Sequence, residues 1–562
     1  MKLIIREYLS LLRESEELDA LLSDLMLSMN IEPLSKPQRG VRQYGVDLAG
    51  VGIDPDDGVK KVYLFVVKQK DIDRHAWDSS GSQSVRQSLD EIFDVYLQTM
   101  LDATIYSLPK KIIVSTNGDL NQTVQMNWKF YTDTKTIIGE IELDFWGGDK
   151  LSLLIEEHLF NEFLFPPFAQ SYLRKTLAFI DMNDYDLSHY YTLIDETLFQ
   201  REAQKTKEQL KVLRLLHLSL NLVFQWAEKA NNLKPAFLSA ERVSLRIWEW
   251  LLTHSLFEDK KIVTEFSKIE STRFSINNAY FNKVQPYCYV KDGLSGYGVD
   301  EIEYPMLTFE QVGILGTIGA DLFYRAILSD EEDRQKLLQN AVVIADAIEH
   351  LIQNNRSSLY PLFDGHITDI GLGLLLLYIS DKRDVMRNWL NQLMNHLFLN
   401  FKFHKRLPLL SDSYDELVDL QLGDLETEIA SSTLLPALLE WSVVLEDESL
   451  YIEIKKGIQT LFPKINLQIW YPDEESEPLM YRTNALYDSG SMRHSIELPD
   501  NFDEFRKQII VEVTMHGEPK QFSFFTSGYP IVGLISSRHY RTPLFPVNWR
   551  QFIKDDRQGQ HE

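Results

Sequence analysis

Cysteine is nearly absent from this chain, and so are long apolar runs. The single cysteine among 562 residues, Cys288, excludes an intramolecular disulfide, a cysteine-built zinc site and an iron–sulfur cluster. Purely apolar stretches such as Leu374–Ile379 fall far short of the roughly 20 residues of a membrane-spanning helix. Lys2, Arg6 and Glu7 place charges where a signal peptide keeps its apolar centre. We therefore expect a cytoplasmic protein with no membrane partner.

Basic residues are scarce relative to acidic ones. The 57 lysines and arginines face 83 aspartates and glutamates, which gives a formal net charge of −26 at pH 7. Because affinity for phosphate backbones comes largely from lysine and arginine, this balance argues against a protein that coats nucleic acid. An enzyme with a locally basic cleft remains compatible with it. The chain also lacks the P-loop and His-Glu-x-x-His motifs, which excludes the ATP and zinc-protease sites that those motifs build.

The length and the patterning predict three regions. A chain of 562 residues is too long for one core, since domains usually hold about 100–200 residues. Residues 1–165 mix helical and strand patterns and form one predicted domain. Helical periodicity dominates 166–470, a predicted all-α sensing or scaffold region. Residues 478–562 are predicted to form a small α+β domain, with strands at Ile509–Val513, Gln521–Phe525 and Tyr529–Ser536.

Within the first region the predicted elements alternate. An amphipathic helix over 1–31 precedes a hairpin, whose strands Val46–Ile53 and Val59–Val67 are joined by the turn sequence Asp-Pro-Asp-Asp-Gly. A helix of about 20 residues follows after residue 83. The remaining predicted elements are strands and helices in alternation: strand Lys110–Thr116, helix Gln122–Tyr131, strand Thr136–Phe145 and a helix from Lys150. This order predicts an α/β fold with a mixed sheet and helices on both of its faces.

Two opposite charges occur on the two strands of the hairpin. Asp47 lies on the first strand, and Lys68 ends the second, which is otherwise apolar. A lysine at the end of a buried strand needs a partner, because an unpaired ammonium group is almost never buried. The pair has two interpretations, a structural ion pair at the end of the sheet or part of a catalytic site.

The order of these elements resembles the PD-(D/E)XK nuclease superfamily, and within it the Mrr-like restriction endonucleases. Gly45-Val46-Asp47 is similar to the family's aspartate strand, and Val67-Lys68-Gln69 to its lysine strand. Glu17, about 30 residues before Asp47, matches a glutamate that the family often carries on its first helix. The resemblance covers residues 1 to about 165 and implies a restriction-endonuclease-like fold.

The resemblance also implies a mechanism. Two carboxylates and a strand carbonyl hold Mg²⁺ (or Mn²⁺) against the scissile phosphate of DNA, while the lysine orients or activates the attacking water. The implied ligands are Asp47 and the Val67 carbonyl, and the implied catalytic lysine is Lys68. Where the family has an acid or Gln two residues before the lysine, this chain has Val66, which cannot bind a metal. Glu91 on the following helix is the expected substitute, with Asp90 next, and a solvated acid on the helix surface is the alternative.

Basic and aromatic residues near these motifs have two interpretations. One is a local positive cleft formed by cations that lie close in sequence, namely Arg39, Arg42, Lys60, Lys61, Lys70, Arg74, Lys110 and Lys111. The other is a set of ordinary strand-end charges facing water. Trp77 is expected either to stack on a base or to belong to the core.

These observations give one main functional expectation and two rivals. The expectation is a metal-dependent DNA endonuclease, an effector of bacterial antiphage defence or restriction, whose helical region senses a trigger or protein partner. The first rival is a catalytically inactive protein that keeps the nuclease fold and serves in interaction or regulation. The second is a regulatory module whose helical and C-terminal parts bind a nucleotide or a protein. Self-association is expected by default, because duplex cleavage needs two sites.

Overall fold

The computed structural model describes most of the chain and divides it into two compact units. The described residues are 2–35, 44–79, 84–182, 184–200, 205–297, 301–422, 431–473, 476–482, 491–493, 495–515 and 522–553. The first unit comprises residues 1–239 and 259–269, and the second comprises 240–258 and 270–562. Within the described residues, no helix combines the length and apolarity that crossing a bilayer requires.

A five-stranded mixed sheet forms the centre of the first unit. Its strands lie in the order of the chain: β1 (Ile31–Ser35), β2 (Leu48–Ile53), β3 (Lys60–Lys68), β4 (Lys110–Thr116) and β5 (Ile141–Trp146). The β1–β2 and β2–β3 pairs are antiparallel, whereas β3–β4 and β4–β5 are parallel. The carboxyl ends of β3, β4 and β5 therefore lie at the same end of the sheet as the start of β2. The predicted mixed sheet is confirmed.

Helices connect and cover these strands. Those of the first unit are α1 (Lys2–Leu9), α2 (Asp19–Ser28), α3 (Arg74–Trp77), α4 (Val85–Glu91), α5 (Leu97–Thr99), α6 (Gln122–Lys135), α7 (Gly148–His158), α8 (Pro167–Phe179), α9 (Ser188–Phe199) and α10 (Thr206–Lys229). π-helical turns at Glu14–Leu18 and Ile92–Tyr96 lead into α2 and α5, respectively.

The single helix predicted over 1–31 is interrupted between α1 and α2. The reason is a set of hydrogen bonds from the end of the sheet. The Gln69 amide donates to the Leu12 carbonyl at 2.7 Å, and the Asn117 amide donates to the carbonyls of Leu9 and Leu12 at 2.9 and 3.0 Å. These donors satisfy carbonyls that would otherwise need the next helical turn. The interruption is thus tied to the ends of β3 and β4.

One face of the sheet packs into the core of this unit. Leu64 and Val66 on β3 and Ile112 and Val114 on β4 are at most 1% exposed. They pack with residues of α4 and α6 such as Leu89. The two faces alternate along β3 because successive side chains point to opposite sides.

The second unit is mostly helical. Helices also dominate the described part of 166–470, as predicted, although residues 166–239 belong to the first unit. The helices α11 (Lys234–Thr253) and α12 (Lys260–Cys288) contribute residues to both units. The remaining helices are α13 (Glu303–Leu328), α14 (Glu331–Asn354), α15 (Ile367–Ile379), α16 (Arg383–His404), α17 (Tyr414–Leu422), α18 (Leu434–Val444), α19 (Glu448–Leu461), α20 (Ser476–Met480), α21 (Phe502–Met515), α22 (Ser523–Thr526), α23 (Ile531–Tyr540) and α24 (Val547–Arg550). Short strands pair as β6 (Ser431–Ser432) with β7 (Asn466–Leu467), and β8 (Ile469–Tyr471) with β9 (Ser491–Arg493).

The strand predictions for the C-terminal region are wrong. Ile509–Val513 lies inside α21, residues 523–525 form part of α22, and most of Tyr529–Ser536 belongs to α23; Gln521 lies outside the described residues. A short apolar run does not distinguish a strand from a buried stretch of helix by periodicity alone. The small α+β domain predicted for 478–562 is accordingly replaced by helices, with one short strand, in the described part of this region.

Candidate active site

Asp47 lies immediately before β2 and is fixed against the end of β3. Its backbone N–H donates to the Phe65 carbonyl at 2.8 Å, and its Oδ2 accepts a hydrogen bond from the Val67 N–H at 2.7 Å. The chain enters this position through Gly45, whose φ is +82°. A Cβ on Gly45 would lie 2.0 Å from the Ser88 carbonyl of α4, so only glycine fits. The glycine in the Gly45-Val46-Asp47 sequence is therefore required by the positive φ and by the close approach of α4.

Lys68 ends β3 beside Asp47. It pairs in register with Thr116 at the end of β4, and its side chain is half-buried. The Lys68 ammonium acts on the Asp47 carboxylate by electrostatic attraction. Because the Asp47 carboxylate accepts from the N–H of Val67, the residue before Lys68, the structure places near each other the two charged residues that the sequence singled out. Val66 is fully buried in the apolar core and supplies no ligand atom from its side chain.

The balance of charge around Asp47 is unfavourable to its ionised form. Burial raises the pKa of Asp47 above its ordinary value, and repulsion from Glu14 and Asp19 raises it further. The Val67 N–H and Lys68 act in the opposite direction without cancelling this effect. Glu14 and Asp19, at the π-helical turn and the start of α2, are acids that the sequence analysis missed. The acidic run between residues 14 and 19 was the available signal.

Glu17 has ion-pair partners of its own. Its carboxylate accepts hydrogen bonds from the Arg13 N–H at 2.9 Å, the Arg13 guanidinium at 3.1 Å and the Lys211 ammonium at 2.7 Å. Burial raises the pKa of Glu17, but the bonds from Lys211 and Arg13 outweigh burial and leave the pKa below its ordinary value. In the described structure Glu17 links α10 to the segment before α2, and Asp47 receives its main acidic influence from Glu14 and Asp19 instead.

Glu91 lies at the C-terminal end of α4 and is half-buried. It is not among the charges that act most strongly on Asp47. The neighbouring Asp90 accepts a hydrogen bond from the Tyr131 hydroxyl at 2.8 Å, which fixes it against α6. A role of Glu91 as the relocated metal ligand stays a prediction.

The predicted positive cleft does not include the lysines at the other end of the sheet. Lys61 and Lys111 are 5% and 3% exposed and share the buried carboxylate of Asp54, at 2.8 and 3.0 Å. Along β3, Lys61 and Lys68 are seven residues apart, which corresponds to roughly 23 Å at the rise of a strand. Arg39 and Arg42 lie outside the described residues. Of the predicted cations, Lys70 and Arg74 follow the Lys68 end of the sheet.

Trp77 belongs to the core. It is 3% exposed and makes edge-to-face contacts with Trp128 and Tyr131, at ring-centroid distances of 6.1 and 5.8 Å. A buried indole in such a cluster is unavailable to a nucleic-acid base. The interpretation of Trp77 as a stacking residue is therefore wrong.

The oxygen atoms at Asp47 are of the kind that Mg²⁺ prefers, but few protein ligands lie there. Within the described residues, no three His, Cys, Asp or Glu side chains converge as a ready metal site. Mg²⁺ in phosphate chemistry typically uses one or two carboxylates together with water and substrate phosphate, so three protein side chains are not required. A carboxylate offers about four lone-pair positions, and the hydrogen bond to Val67 takes one of them. Asp47 with the Val67 carbonyl fits this minimal requirement.

Comparison with known proteins adds no assignment. The chain matches no protein-family model, no curated protein and no solved structure. The functional argument therefore depends on the geometry at the Asp47 end of the sheet.

Proposed function

We propose that this protein is a metal-dependent DNA endonuclease with a restriction-endonuclease-like domain of the PD-(D/E)XK superfamily, Mrr-like in type, at its N-terminus. The observation that carries the proposal is the juxtaposition of Asp47 and Lys68 at the end of two adjacent strands. The antiparallel β2–β3 hairpin, followed by the parallel strands β4 and β5, supports the proposal.

The chain's own residues have distinct roles in this proposal. Lys68 binds the scissile phosphate and orients the attacking water by hydrogen bonding. Asp47 and the Val67 carbonyl are the groups that would hold Mg²⁺ or Mn²⁺, and Glu91 stays a predicted third ligand. When bound, the ion supplies Lewis-acid polarisation of the phosphate and lowers the pKa of a coordinated water. The hydrogen bonds of Gln69 and Asn117 to the segment after α1 keep the ends of β3 and β4 in place.

The biological setting follows by analogy of architecture. A restriction-like nuclease joined to a large helical region resembles effectors of bacterial antiphage defence or restriction, which act on DNA in the cytoplasm. In this setting the second unit receives the trigger or protein partner, and self-association supplies the second site for duplex cleavage. The analogy concerns the fold, while the chemistry depends on the Asp47 site.

The test uses the full-length chain with supercoiled plasmid and linear duplex DNA. Cleavage is expected with Mg²⁺ or Mn²⁺ and is expected to stop on addition of EDTA. Asp47→Ala and Lys68→Ala should each lower the cleavage rate by about 10²-fold or more, because each removes a group at the reacting phosphate. Lys60→Ala, an exposed lysine at the opposite end of β3, is the matched control and should retain cleavage. Cleavage that survives both site substitutions would remove the proposal.

A non-cleaving interaction protein with the same fold is the second candidate. The observation that favours it is the burial of Val66 at the usual acid position, together with the lack of a ready three-residue metal group among the described residues. Titration of the full-length protein with Mn²⁺ separates the two candidates. The nuclease predicts saturable binding that Asp47→Asn weakens, whereas the interaction protein predicts negligible Mn²⁺ binding by either form.

A further inference from the structure

The second unit contains a cavity of about 750 Å³ whose lining is unusually basic for this protein. We name it the basic cleft and define it by Arg356, His396, His404, Arg406, Tyr360 and Gln421, with further lining from α13. The described lining carries two arginines and two histidines against one carboxylate, Glu301. In a chain with a net charge of −26, a cavity lined by more arginines than carboxylates is a local exception.

One side of the basic cleft is formed by the last turns of α16. His396, Asn400 and His404 follow one another at four-residue spacing, which places them in one row along the helix. Lys405, with a φ of +57°, ends the helix in the left-handed conformation and turns the chain toward Arg406. The row therefore carries donor groups along the wall of the cavity.

Two arginines complete the cationic lining. Arg356 lies on the 3₁₀ turn after α14, is exposed, and forms no ion pair within 4 Å among the described residues. The Arg406 guanidinium donates to the Gln421 amide oxygen at 2.8 Å. A guanidinium has five N–H donors, so this single bond leaves Arg406 able to bind an anion. Guanidinium groups suit phosphate because they bind its oxygens in pairs.

Arg356 affects the pKa of the neighbouring His396. Burial lowers the pKa of His396, and the proximity of Arg356 lowers it further. Both effects oppose a positive charge on the imidazole. On this side of the basic cleft the positive charge is therefore that of Arg356, whose guanidinium has no carboxylate within 4 Å in the described part of the chain.

An aromatic side chain, Tyr360, lines the basic cleft beside His396. Tyr360 is 42% exposed and contacts the His396 ring edge-to-face at a centroid distance of 4.9 Å. A half-exposed tyrosine next to cationic groups offers a surface on which a base can stack. Asn400 and Gln421 add amide groups that can hydrogen-bond to a sugar or a base.

We propose that the basic cleft binds a nucleoside triphosphate, with its phosphates on Arg356 and Arg406 and its base against Tyr360. The cavity volume lies within the range of about 300–1,000 Å³ that is typical of small-molecule sites. A neighbouring cavity of about 220 Å³ has the opposite character, because Asp364 and Glu416 line it. The site is separate from the Asp47 site and does not depend on the nuclease proposal; it gives the helical unit a small-molecule ligand.

Isothermal titration of the full-length protein with ATP, GTP, CTP and UTP, each in turn, tests the proposal. At least one is expected to bind saturably. Arg356→Ala and Arg406→Ala should each weaken that binding about tenfold or more, since each removes a charge-assisted hydrogen bond. Tyr360→Ala should weaken it by a smaller factor. Arg383→Ala, an exposed arginine at the start of α16, is the control and should bind as the unmodified protein does.

Two further titrations define the ligand class. Inorganic phosphate and the matching nucleoside should each bind at least about tenfold more weakly than the triphosphate, because each makes only part of the contacts. The proposal is overturned if none of the four triphosphates binds, if both arginine variants bind unchanged, or if phosphate alone binds as tightly. Arg356 is exposed, so its replacement leaves the packing intact, and equal thermal unfolding of the variant confirms this.

Discussion

The two ends of the N-terminal sheet hold similar charged groups in opposite electrostatic situations. At one end, Asp54 is fully buried between the ammonium groups of Lys61 and Lys111, which also contact Glu142. At the other end, Asp47 has Lys68 in attraction and acids in repulsion. The buried carboxylate is therefore fully compensated by lysines at the Asp54 end and incompletely compensated at the Asp47 end.

The pKa shifts state this difference directly. Burial would raise the pKa of Asp54, yet the hydrogen bond from Lys61 and the contacts with Lys111 leave it below its ordinary value. Burial raises the pKa of Asp47, and no partner reverses that shift. A lowered pKa means that the ionised form stabilises the fold, whereas a raised pKa means that it costs stability. Charge that stabilises the fold thus belongs to the Asp54 end, and charge that costs stability belongs to the Asp47 end.

The largest expected effect is the loss of DNA cleavage on substitution of Lys68, and a second lysine on β3 provides the control. Lys68→Ala should lower the rate of plasmid nicking in Mn²⁺ by about 10²-fold or more, because it removes the cation at the scissile phosphate. Lys60→Ala changes an exposed lysine at the opposite end of the same strand and should leave the rate unchanged. Equal losses in both variants would mean that the ends of the sheet do not differ in function.

Asp54→Asn should have the largest effect on stability. The substitution removes the carboxylate that two buried ammonium groups share, and a lost hydrogen bond to a charged group costs about 1.5–3 kcal/mol; Glu142 still contacts both lysines. Urea unfolding measures the loss. Asp57→Asn, at an exposed partner of Lys61, should cost much less, because solvent screens this pair. If both variants unfold at the same urea concentration, Asp54 has no special structural role.

The pH dependence of stability should follow the same residues. The pKa of Asp54 is lowered, so its contribution is present above the unfolded value and is lost as the pH falls through the folded one. The pKa of Lys61 is raised, chiefly by Asp54, against the effect of burial. Its contribution is therefore present below the unfolded value and is lost as the pH rises through the folded one. Urea midpoints measured across acid and alkaline pH should decline at both extremes, and less steeply in Asp54→Asn.

Cleavage should depend on the acids around Asp47. At Mn²⁺ concentrations below saturation, where the rate reports the metal-free protein, the raised pKa of Asp47 places the acid limb of the pH–rate profile above the ordinary aspartate range, since the ion has to displace the proton. The double variant Glu14→Gln/Asp19→Asn removes the repulsion and should move this limb to lower pH, while burial keeps part of the shift. An acid limb that stays in place would show that Asp47 does not control the rate.

The smallest effect is expected from Glu17→Gln. Glu17 is bound by Arg13 and Lys211 at partly exposed positions, and such pairs contribute about 1 kcal/mol or less. The unfolding free energy should fall by that amount while the cleavage rate stays within twofold. A strong loss of cleavage without unfolding would instead assign Glu17 to the active site, as the resemblance implies.

The sequence predicts the strands β2 to β5, which have strong local signals, but it misses the edge strand β1 (Ile31–Ser35). β4 matches its predicted bounds at Lys110–Thr116, and the turn after Asp54 joins β2 to β3 as expected. The C-terminal strands fail because apolar runs such as Ile509–Val513 do not distinguish a strand from a helix. The pairing of Lys61 and Lys111 with Asp54 depends on which ends of the strands meet, and spacing along the chain does not contain that information.

Of the candidate site, the sequence predicts the pairing of Asp47 with Lys68 but not the acids that approach Asp47. The signal for Asp47 and Lys68 is local, because each sits at the end of an apolar strand. The approach of Glu14 and Asp19 requires the chain to leave its helix after α1, and the amides of Gln69 and Asn117 determine that departure. Such side-chain contacts to backbone carbonyls leave no periodic pattern in the sequence.

A direct comparison of Asp47→Asn with Asp54→Asn tests the central claim most sharply. Both full-length variants and the unmodified protein are assayed for Mn²⁺-dependent plasmid nicking and for the free energy of unfolding in urea. Asp47→Asn should abolish nicking and leave stability equal or slightly higher, because the amide oxygen still accepts from Val67 and an unfavourable charge is removed. Asp54→Asn should nick DNA at the unmodified rate, at a temperature where it is folded, and unfold far more easily. Nicking by Asp47→Asn at the unmodified rate would contradict the assignment of the active site to this end of the sheet.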